Sequence, residues 1–235
     1  MKRSEARLEA EMTDAELDLL VGTLEREAAT GAHLELGTAA GGTLCRMLAG
    51  LPAERGFVVV DRLEYFEGQR EALFENLARH GIDTKRVDLR AMNTQDGFTD
   101  AAARNERYAF MLIDAGHKLI DVTLDLRWTR LLEPGGIVCL HDYDDRWSHR
   151  GVRVAVDRFE RRHPEYERIG HADTLVVLRK LRAPARPEID ALDLLHTATL
   201  WLPLRIGRTA GKLAKRWRRR RKPESRGPDT RSGDT

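Results

Sequence analysis

Cysteine is scarce in this chain of 235 residues, which contains only Cys45 and Cys139. Both lie in apolar segments typical of a core, so the sequence provides no disulfide framework and favours a reducing compartment. The N-terminal segment is charged throughout and lacks the apolar stretch of a secretory signal. The apolar run Leu194 to Leu204 is shorter than the roughly 20 residues that a membrane-spanning helix needs. We therefore expect a cytoplasmic protein.

Acidic residues outnumber basic ones over most of the chain, and a basic segment lies near its end. Ten Lys or Arg residues and no acid lie between Arg205 and Lys222, which leaves a net charge of −8 on the rest of a chain whose total is +2. An acidic body disfavours an extended footprint on nucleic acid, because phosphate contacts need clustered basic side chains. The body also shows no interleaving of aromatic and basic residues, so we do not expect nucleic acid to be the main partner.

Short apolar runs alternate with segments of helical period between about residues 14 and 180. The predicted strands cover 33–36, 57–61, 85–90, 108–113, 137–140, 166–170 and 174–178. The predicted helices cover about 14–29, 42–50, 65–79 and 119–132, with another around 152–159. The first of them begins at a predicted capping box, Thr13 to Glu16. This alternation predicts an α/β fold with a doubly wound, mostly parallel seven-stranded sheet, whose last two strands are antiparallel because only a short turn joins them.

A glycine-rich turn follows the first predicted strand, in the segment His33 to Thr43 with the sequence HLELGTAAGGT. Gly37 and Gly41 stand where the backbone approaches a ligand closely or takes a positive φ. Glu35 can accept hydrogen bonds from an ammonium or hydroxyl group. The pattern predicts a cofactor cradle at a helix N-terminus, but any tight turn from strand to helix gives a similar pattern.

Acidic residues recur at the ends of the predicted strands. Glu35, Asp61 and Asp114 each end one strand, and the pair His141 and Asp142 follows another. In doubly wound sheets the ligand lies beyond the carboxyl ends of the strands. Four such ends predict one site in that crevice.

These features resemble class I S-adenosylmethionine-dependent methyltransferases over about residues 14–180, and the implied fold is the Rossmann-like methyltransferase fold. The tract from Ile113 to Tyr143 (IDAGH through LEPGGIVCLHDY) is similar to the small-molecule O-methyltransferase branch that includes macrolide-sugar methyltransferases and cephalosporin-hydroxylase-like proteins. The resemblance implies S-adenosylmethionine as cofactor, with Thr43 near its methionine end, Asp61 on the ribose and residues 93–95 near the adenine. The implied cofactor contacts are Glu35, Gly37, Thr38, Gly41, Thr43, Asp61, Asn93, Thr94 and Asp114.

The same branch holds Mg²⁺ with an acid after the fourth strand and two adjacent acids after the fifth. Asp114 and Asp142 match this pattern, whereas His141 stands where an acid is usual. Hard Mg²⁺ prefers oxygen ligands, and imidazole suits Zn, Fe, Ni or Mn better. Three alternatives therefore remain: the ion differs, Asp144 or Asp145 supplies the missing oxygen, or no metal binds.

His117 matches the general base of the sugar-methylating relatives, so the resemblance implies that it is catalytic. An imidazole with an ordinary pKa near 6.5 suits proton removal from a hydroxyl. The simpler interpretation is a helix N-terminal residue that bonds the loop, and His141 could likewise serve only to orient Asp142. Tyr143, Trp147 and His149 either shape an acceptor pocket or pack the loop against the body.

The C-terminal part of the chain follows a different pattern. We divide the chain into a methyltransferase domain at 1–182, a linker with a basic amphipathic helical extension at 183–222, and a disordered tail at 223–235. One apolar stripe recurs at spacings of three and four, through Leu192, Leu195, Thr199, Leu202, Ile206, Ala210, Leu213 and Trp217. The stripe predicts a helix, broken or kinked at Pro203, that lies on an anionic membrane through residues 190–222. A solvated basic tail or a helix packed on the domain are the alternatives.

The sequence therefore predicts methyl transfer from S-adenosylmethionine to a hydroxyl of a small molecule, a sugar, glycosylated natural product or glycolipid, with or without a divalent metal. The expected location is the cytoplasm, either free or at the inner face of the membrane. A nicotinamide oxidoreductase is an alternative, although the turn lacks the G-x-G-x-x-G spacing. An RNA methyltransferase and a non-catalytic cofactor-binding scaffold are the others. The sequence does not determine the oligomeric state.

Overall fold

The structure is a computed structural model that describes residues 10–27, 31–146 and 149–200. Its seven strands are β1 Ala32–Leu36, β2 Phe57–Asp61, β3 Val87–Ala91, β4 Tyr108–Ile113, β5 Leu132–Leu140, β6 Tyr166–Ala172 and β7 Leu175–Lys180. Its helices are α1 Asp14–Glu27, α2 Gly42–Ala49, α3 Gln69–Arg79, α4 Thr94–Ala103, α5 Leu119–Asp125 and α6 Arg150–Arg162. Residues 191–200 form a further helix, which we call α7.

The strands form one sheet in the order β3-β2-β1-β4-β5-β7-β6. Neighbours from β3 to β5 are parallel, and β7 runs antiparallel to both of its neighbours, β5 and β6. The strand order reverses between β1 and β4, which opens a crevice at their carboxyl ends. The predicted doubly wound, mostly parallel seven-stranded sheet is confirmed.

The sheet separates two apolar layers, because successive side chains of a strand point to opposite faces. Met111 and Val138 pack in a cluster with α4, α5 and α6, while Phe110 and Leu112 pack in a cluster with α1, α2 and α3. All six residues of β4 are buried, as expected for a strand covered on both faces.

Several element boundaries differ from the sequence prediction. The predicted helix at 119–132 ends at Asp125 and continues as a 3₁₀ helix over Leu126–Leu131. Strand β5 then begins at Leu132 instead of 137, with Gly135 at φ +85° beside a shift in the β4–β5 register. Helix α3 starts at Gln69 and not 65, because Gly68 at φ +75° interrupts the helical path. Helix α4 was not predicted at all.

The beginning of the C-terminal extension packs on the domain. Glu188, Asp193 and Thr197 are buried, and Ile189 and Leu200 pack against the cluster of the α4–α6 layer. The later members of the predicted stripe and the basic segment lie outside the described residues. No helix in the described ranges is both long enough and apolar enough to cross a bilayer.

Candidate active site

A cavity of about 1140 Å³ opens at the carboxyl edge of the sheet, where the strand order reverses. The predicted site residues that line it are Glu35, Gly37, Thr38, Thr43, Asp61, Asn93, Thr94, Asp114, His117, His141 and Asp142. Gly41 does not line it, because it lies behind the turn, where an added Cβ would stand 2.3 Å from Cδ1 of Leu73. The fold thus brings residues from five strand ends to one cavity.

The glycine turn after β1 packs directly against the end of β4. Gly37 has φ +82°, and an added Cβ would stand 2.4 Å from the carbonyl oxygen of Asp114. Gly41, at φ +78°, then begins α2. Glycine at position 37 is therefore required by contact between two backbone segments, and this contact joins the cofactor side of the cavity to the β4 side.

Asp61, at the end of β2, is held by protein donors. Its carboxylate accepts hydrogen bonds from the backbone N–H of Thr38 at 2.8 Å, the N–H of Leu63 at 2.6 Å and Nε2 of Gln69 at 3.2 Å. A carboxylate has about four lone-pair positions, so one remains for a ligand hydroxyl. Gln69, which also bonds the carbonyl of Ala39 at 3.0 Å, belongs to the site although the sequence prediction did not include it.

Glu35 is buried at the base of the cavity, with 1% of its surface exposed. Burial raises the pKa of its carboxyl well above the usual range, with the charges of Asp114 and Asp61 acting in the same direction. Its Oε2 has no hydrogen-bond partner among the described residues. Such an orphaned buried acceptor fits a donor group of a ligand.

Asn93 and Thr94, predicted to contact adenine, both have structural partners. The Asn93 side chain caps α4 by accepting from the N–H groups of Gln95 and Asp96. The Thr94 hydroxyl donates to the buried Asp125, to which Gln95 Nε2 also donates at 3.2 Å. Burial raises the pKa of Asp125 to about 7. This carboxyl lines the cavity and was missed, because nothing in the sequence marks the end of α5 as part of a site.

The acceptor side of the cavity is built around Asp142. Its Oδ2 lies 2.8 Å from Nε2 of His117, and its Oδ1 lies 2.9 Å from Nδ1 of His149. The two rings stand edge to face with centroids 5.0 Å apart. Asp142 has φ +61°, a strained conformation for a residue with a Cβ, and such strain clusters at functional sites.

The charged groups of this cluster shift one another's pKa values. The hydrogen bond to Asp142 raises the pKa of His117, with burial opposing it and the charge of Asp142 adding to it. Burial alone would raise the pKa of Asp142, but the hydrogen bond and charge of His117 outweigh burial and lower it. The pair therefore favours an ionised carboxylate beside an imidazole that binds a proton more tightly than usual.

His141 is enclosed between two carboxylates. Its Nδ1 lies 3.1 Å from Oδ1 of Asp114, and its Nε2 lies 3.5 Å from Oε2 of Glu16. Burial lowers the pKa of His141, but the hydrogen bond to Asp114 and the charges of three carboxylates outweigh it and raise the pKa to about 9. His141 is therefore an imidazolium at neutral pH.

Glu16 is a residue of the site that the sequence suggested only as a helix cap. It forms the predicted capping box with Thr13, through bonds of 2.8 Å and 3.3 Å. Its Oε1 also accepts from the backbone N–H and the hydroxyl of Thr174, in the turn between β6 and β7. One buried carboxylate thus connects α1, that turn and His141.

The predicted metal ligands lie together but do not fit a divalent cation as they are arranged. Ligand atoms of Asp114, His141 and Asp142 lie within 4.8 Å of one another, and so do those of His117, Asp142 and His149. However, both ring nitrogens of His141 face carboxylates, so His141 as an imidazolium offers no lone pair to a shared ion, and the ligand set loses one of its three members. The arrangement fits an imidazolium between carboxylates better.

The ring-bearing residues of the loop after β5 do not all face the cavity. The Tyr143 hydroxyl donates to Asp157 at 2.7 Å, its ring lies under Arg168, and it does not line the cavity, whereas His149 does. Trp147 lies outside the described residues. Tyr65, 69% exposed, is an aromatic lining residue that the sequence prediction did not include.

Comparison with known proteins gives a family match. Residues 34–143 match the family model described as a methyltransferase domain. The matched tract contains β1 to β5, the glycine turn and the His141–Asp142 pair. No curated protein sequence matches the chain significantly.

Solved structures share the fold at low sequence identity. An O-methyltransferase from Bacillus cereus in complex with SAH is 18% identical with a TM-score of 0.59, over 76% of this chain and 87% of that one. TomG from Streptomyces achromogenes, an O-methyltransferase in complex with SAM, is 17% identical with a TM-score of 0.57, over 73% and 82%. CalS11, a TDP-rhamnose 3′-O-methyltransferase of calicheamicin biosynthesis, is 18% identical with a TM-score of 0.56, over 76% and 91%. The family match therefore places residues 34–143 in a methyltransferase domain, and the sheet around them has the topology of the class I S-adenosylmethionine-dependent methyltransferase fold.

Proposed function

We propose that this protein transfers the methyl group of S-adenosylmethionine to a hydroxyl of a small molecule, a sugar, glycosylated natural product or glycolipid, with His117 as general base. The observation that supports this most directly is the 2.8 Å contact between His117 Nε2 and Asp142 Oδ2 at the cavity wall. The similarity in fold to a TDP-rhamnose methyltransferase supports a sugar-type acceptor.

The cofactor half of the cavity fits S-adenosylmethionine. The orphaned Oε2 of Glu35 can accept a hydrogen bond from the cofactor's ammonium group, and the remaining lone pair of Asp61 can accept one from a ribose hydroxyl. When bound, the cofactor supplies an electrophilic methyl group on a sulfonium. Predicted contacts from Asn93 and Thr94 are limited to atoms that their structural bonds leave available.

His117 has the geometry of an oriented base. If Nε2–H donates to Asp142, the lone pair is on Nδ1, which has no hydrogen bond among the described residues. With the cofactor bound, the acceptor hydroxyl would lose its proton to Nδ1 of His117 as its oxygen takes the methyl group, and the sulfonium C–S bond would break to leave S-adenosylhomocysteine. Asp142 then stabilises the imidazolium that forms, because the two charges are opposite and close. No metal ion is needed for this proton path.

His149 and His141 have supporting roles in this proposal. His149 lies with Nδ1 2.9 Å from the second oxygen of Asp142, without hydrogen-bond geometry, and so supports this carboxylate by close contact. His141, as an imidazolium, holds the carboxylate of Asp114 in place beneath the glycine turn. Both are positioning residues, since neither is the group that receives the proton.

Binding and turnover measurements test the assignment. Titration calorimetry with S-adenosylhomocysteine and with NAD should show binding of the first and none of the second. Methyl transfer should then be measured with sugar acceptors in the presence and absence of a chelator. NAD binding without S-adenosylhomocysteine binding would contradict the proposal, and turnover that stops with chelator would show that a metal holds the acceptor side.

A further inference from the structure

Helix α7 turns Asp193 and Thr197 to the domain and three of its four leucines to solvent. Asp193 and Thr197 are each 3% exposed, whereas Leu192 is 60% and Leu195 is 61% exposed. This is the reverse of an ordinary surface helix, whose apolar stripe faces the core. The exposed residues of α7 are Ala191, Leu192, Leu194, Leu195, Ala198 and Thr199, and none carries a charge.

Buried ion pairs hold the helix in this orientation. Asp193 lies 2.8 Å from Nε of Arg158 and 3.3 Å from Nη1 of Arg162, and its partners come from α6. The Thr197 hydroxyl lies 3.2 Å from that of Thr123 in α5. Turning the leucines inward would break the ion pairs of Asp193 with Arg158 and Arg162, and Arg162 would keep only Asp190 as a partner, so this rotation is unfavourable. The apolar face is therefore a fixed surface.

The chain that follows α7 indicates what covers this face. The described members of the stripe, Leu192, Leu195 and Thr199, all lie on the exposed side, and the same spacing continues in the sequence to Trp217. Ten Lys or Arg and no acid accompany the continuation between residues 205 and 222. Leucines beside clustered cations match a surface that is apolar inside and anionic at its edge.

We propose that the exposed face of α7, together with the basic segment after it, docks this protein on an anionic lipid bilayer. Burial of Leu192 and Leu195 and attraction between the cations and lipid headgroups both contribute to binding. The described part of α7 is ten residues long, so the contact is one of lying on the surface. This proposal is independent of the acceptor and of methyl transfer.

Co-sedimentation of the full-length protein with vesicles tests it. We compare phosphatidylcholine vesicles with vesicles that also contain phosphatidylglycerol, at low and high salt. Leu192→Glu with Leu195→Glu changes only exposed side chains, and Ile169→Glu on β6, also exposed, is the matched control. A second full-length variant replaces residues 218–221, all arginine, with glutamine. Circular dichroism and thermal unfolding establish that each variant is folded.

The parent and Ile169→Glu should sediment with the anionic vesicles only, and less at high salt. The affinity of the leucine double variant and of the arginine variant for these vesicles should each fall by about tenfold or more. A tenfold decrease corresponds to about 1.4 kcal/mol of binding free energy. Equal sedimentation of the leucine variant would overturn the role of α7. A parent that ignores vesicles but forms a dimer, which the leucine variant dissociates, would assign the face to a second copy. Binding to RNA in place of vesicles would also overturn the proposal.

Discussion

The two halves of the cavity hold their carboxylates with different donors. On the cofactor side, Asp61 is fixed mainly by the backbone N–H groups of Thr38 and Leu63. On the acceptor side, Asp142 and Asp114 are held by the rings of His117, His149 and His141. These donors differ in one physical respect: a backbone N–H does not titrate, whereas the imidazole of His117 gains and loses a proton as the pH passes its raised pKa.

This difference predicts that cofactor affinity and the rate of catalysis depend on pH in different ways. A cofactor site built on backbone donors should keep its shape and affinity over a wide pH range. An acceptor site built on imidazoles should change its charge, and hence its rate, with pH. The contact of Gly37 with Asp114 joins the halves mechanically, so that both can act on one bound pair of substrates. The following predictions test whether the halves are separable in this way.

The largest effect is expected at the acceptor half. His117→Ala removes the proposed base, so turnover should fall by about 10²-fold or more. Affinity for S-adenosylhomocysteine, measured by calorimetry, should stay within about twofold, because His117 belongs to the other half. His80→Ala, at an exposed histidine that follows α3, is the matched control. A variant of His117 that retains full turnover would exclude it as the base.

The next effect concerns the contribution of Asp125, a buried carboxyl of the cofactor half, to stability. Burial raises the pKa of Asp125 to about 7, so between about pH 4 and 7 the folded protein binds a proton that the unfolded chain has released. Stability from this group therefore falls as the pH rises through that window and is constant above it. Asp125→Asn does not ionise and keeps the oxygen that Thr94 and Gln95 contact.

We therefore expect Asp125→Asn to be more stable than the parent by at least about 1 kcal/mol near pH 8, and by little near pH 4. Urea unfolding at both pH values measures the difference. A parent and variant that differ equally at the two pH values would show that Asp125 does not titrate in this range.

Replacing Asp61 should lower cofactor affinity, by less than the loss of turnover expected for His117→Ala. Asp61→Ala removes one ligand acceptor, and we expect affinity for S-adenosylhomocysteine to fall by about tenfold or more. Asp100→Ala, at an exposed acid on α4, is the control. Gly37→Val is a poorer test, because its side chain would collide with the backbone of Asp114 and disturb both halves. Unchanged affinity in a folded Asp61→Ala protein would remove Asp61 from the site.

The smallest expected effect is a shift in pH dependence. Because His117 must be unprotonated to act as base, turnover should fall as the pH decreases through its raised pKa. Asp142→Asn removes the carboxylate that raises this pKa, so the decrease should move to lower pH, by on the order of one unit. Turnover should be the same with and without chelator in the parent. Loss of a metal response in Asp142→Asn, without a shift in the profile, would instead support the predicted metal site at Asp114, His141 and Asp142.

Local patterns were sufficient to predict much of this protein from its sequence. Alternating apolar runs predicted the seven strands, because strand and helix periods differ and depend only on neighbouring residues. The capping box at Thr13 and Glu16 and the glycine turn at Gly37 and Gly41 are likewise local, and the structure contains them. Helix α4 has a capping residue in Asn93 but few apolar side chains, so its period was too weak to predict it.

The pairing of side chains across the cavity depended on the tertiary structure. Glu16 lies 125 positions before His141, and Thr94 lies 31 before Asp125, yet each pair is in contact. Sequence patterns indicated that His141 stands near acids, but not that two carboxylates would occupy both of its ring nitrogens and make it a cation. The residues of the apolar stripe in α7 were likewise predicted from the sequence. That the polar side of the helix faces the domain depended on packing. Contacts between residues far apart in the sequence determine the charge of His141 and the orientation of α7. A pattern of neighbouring residues does not contain this information.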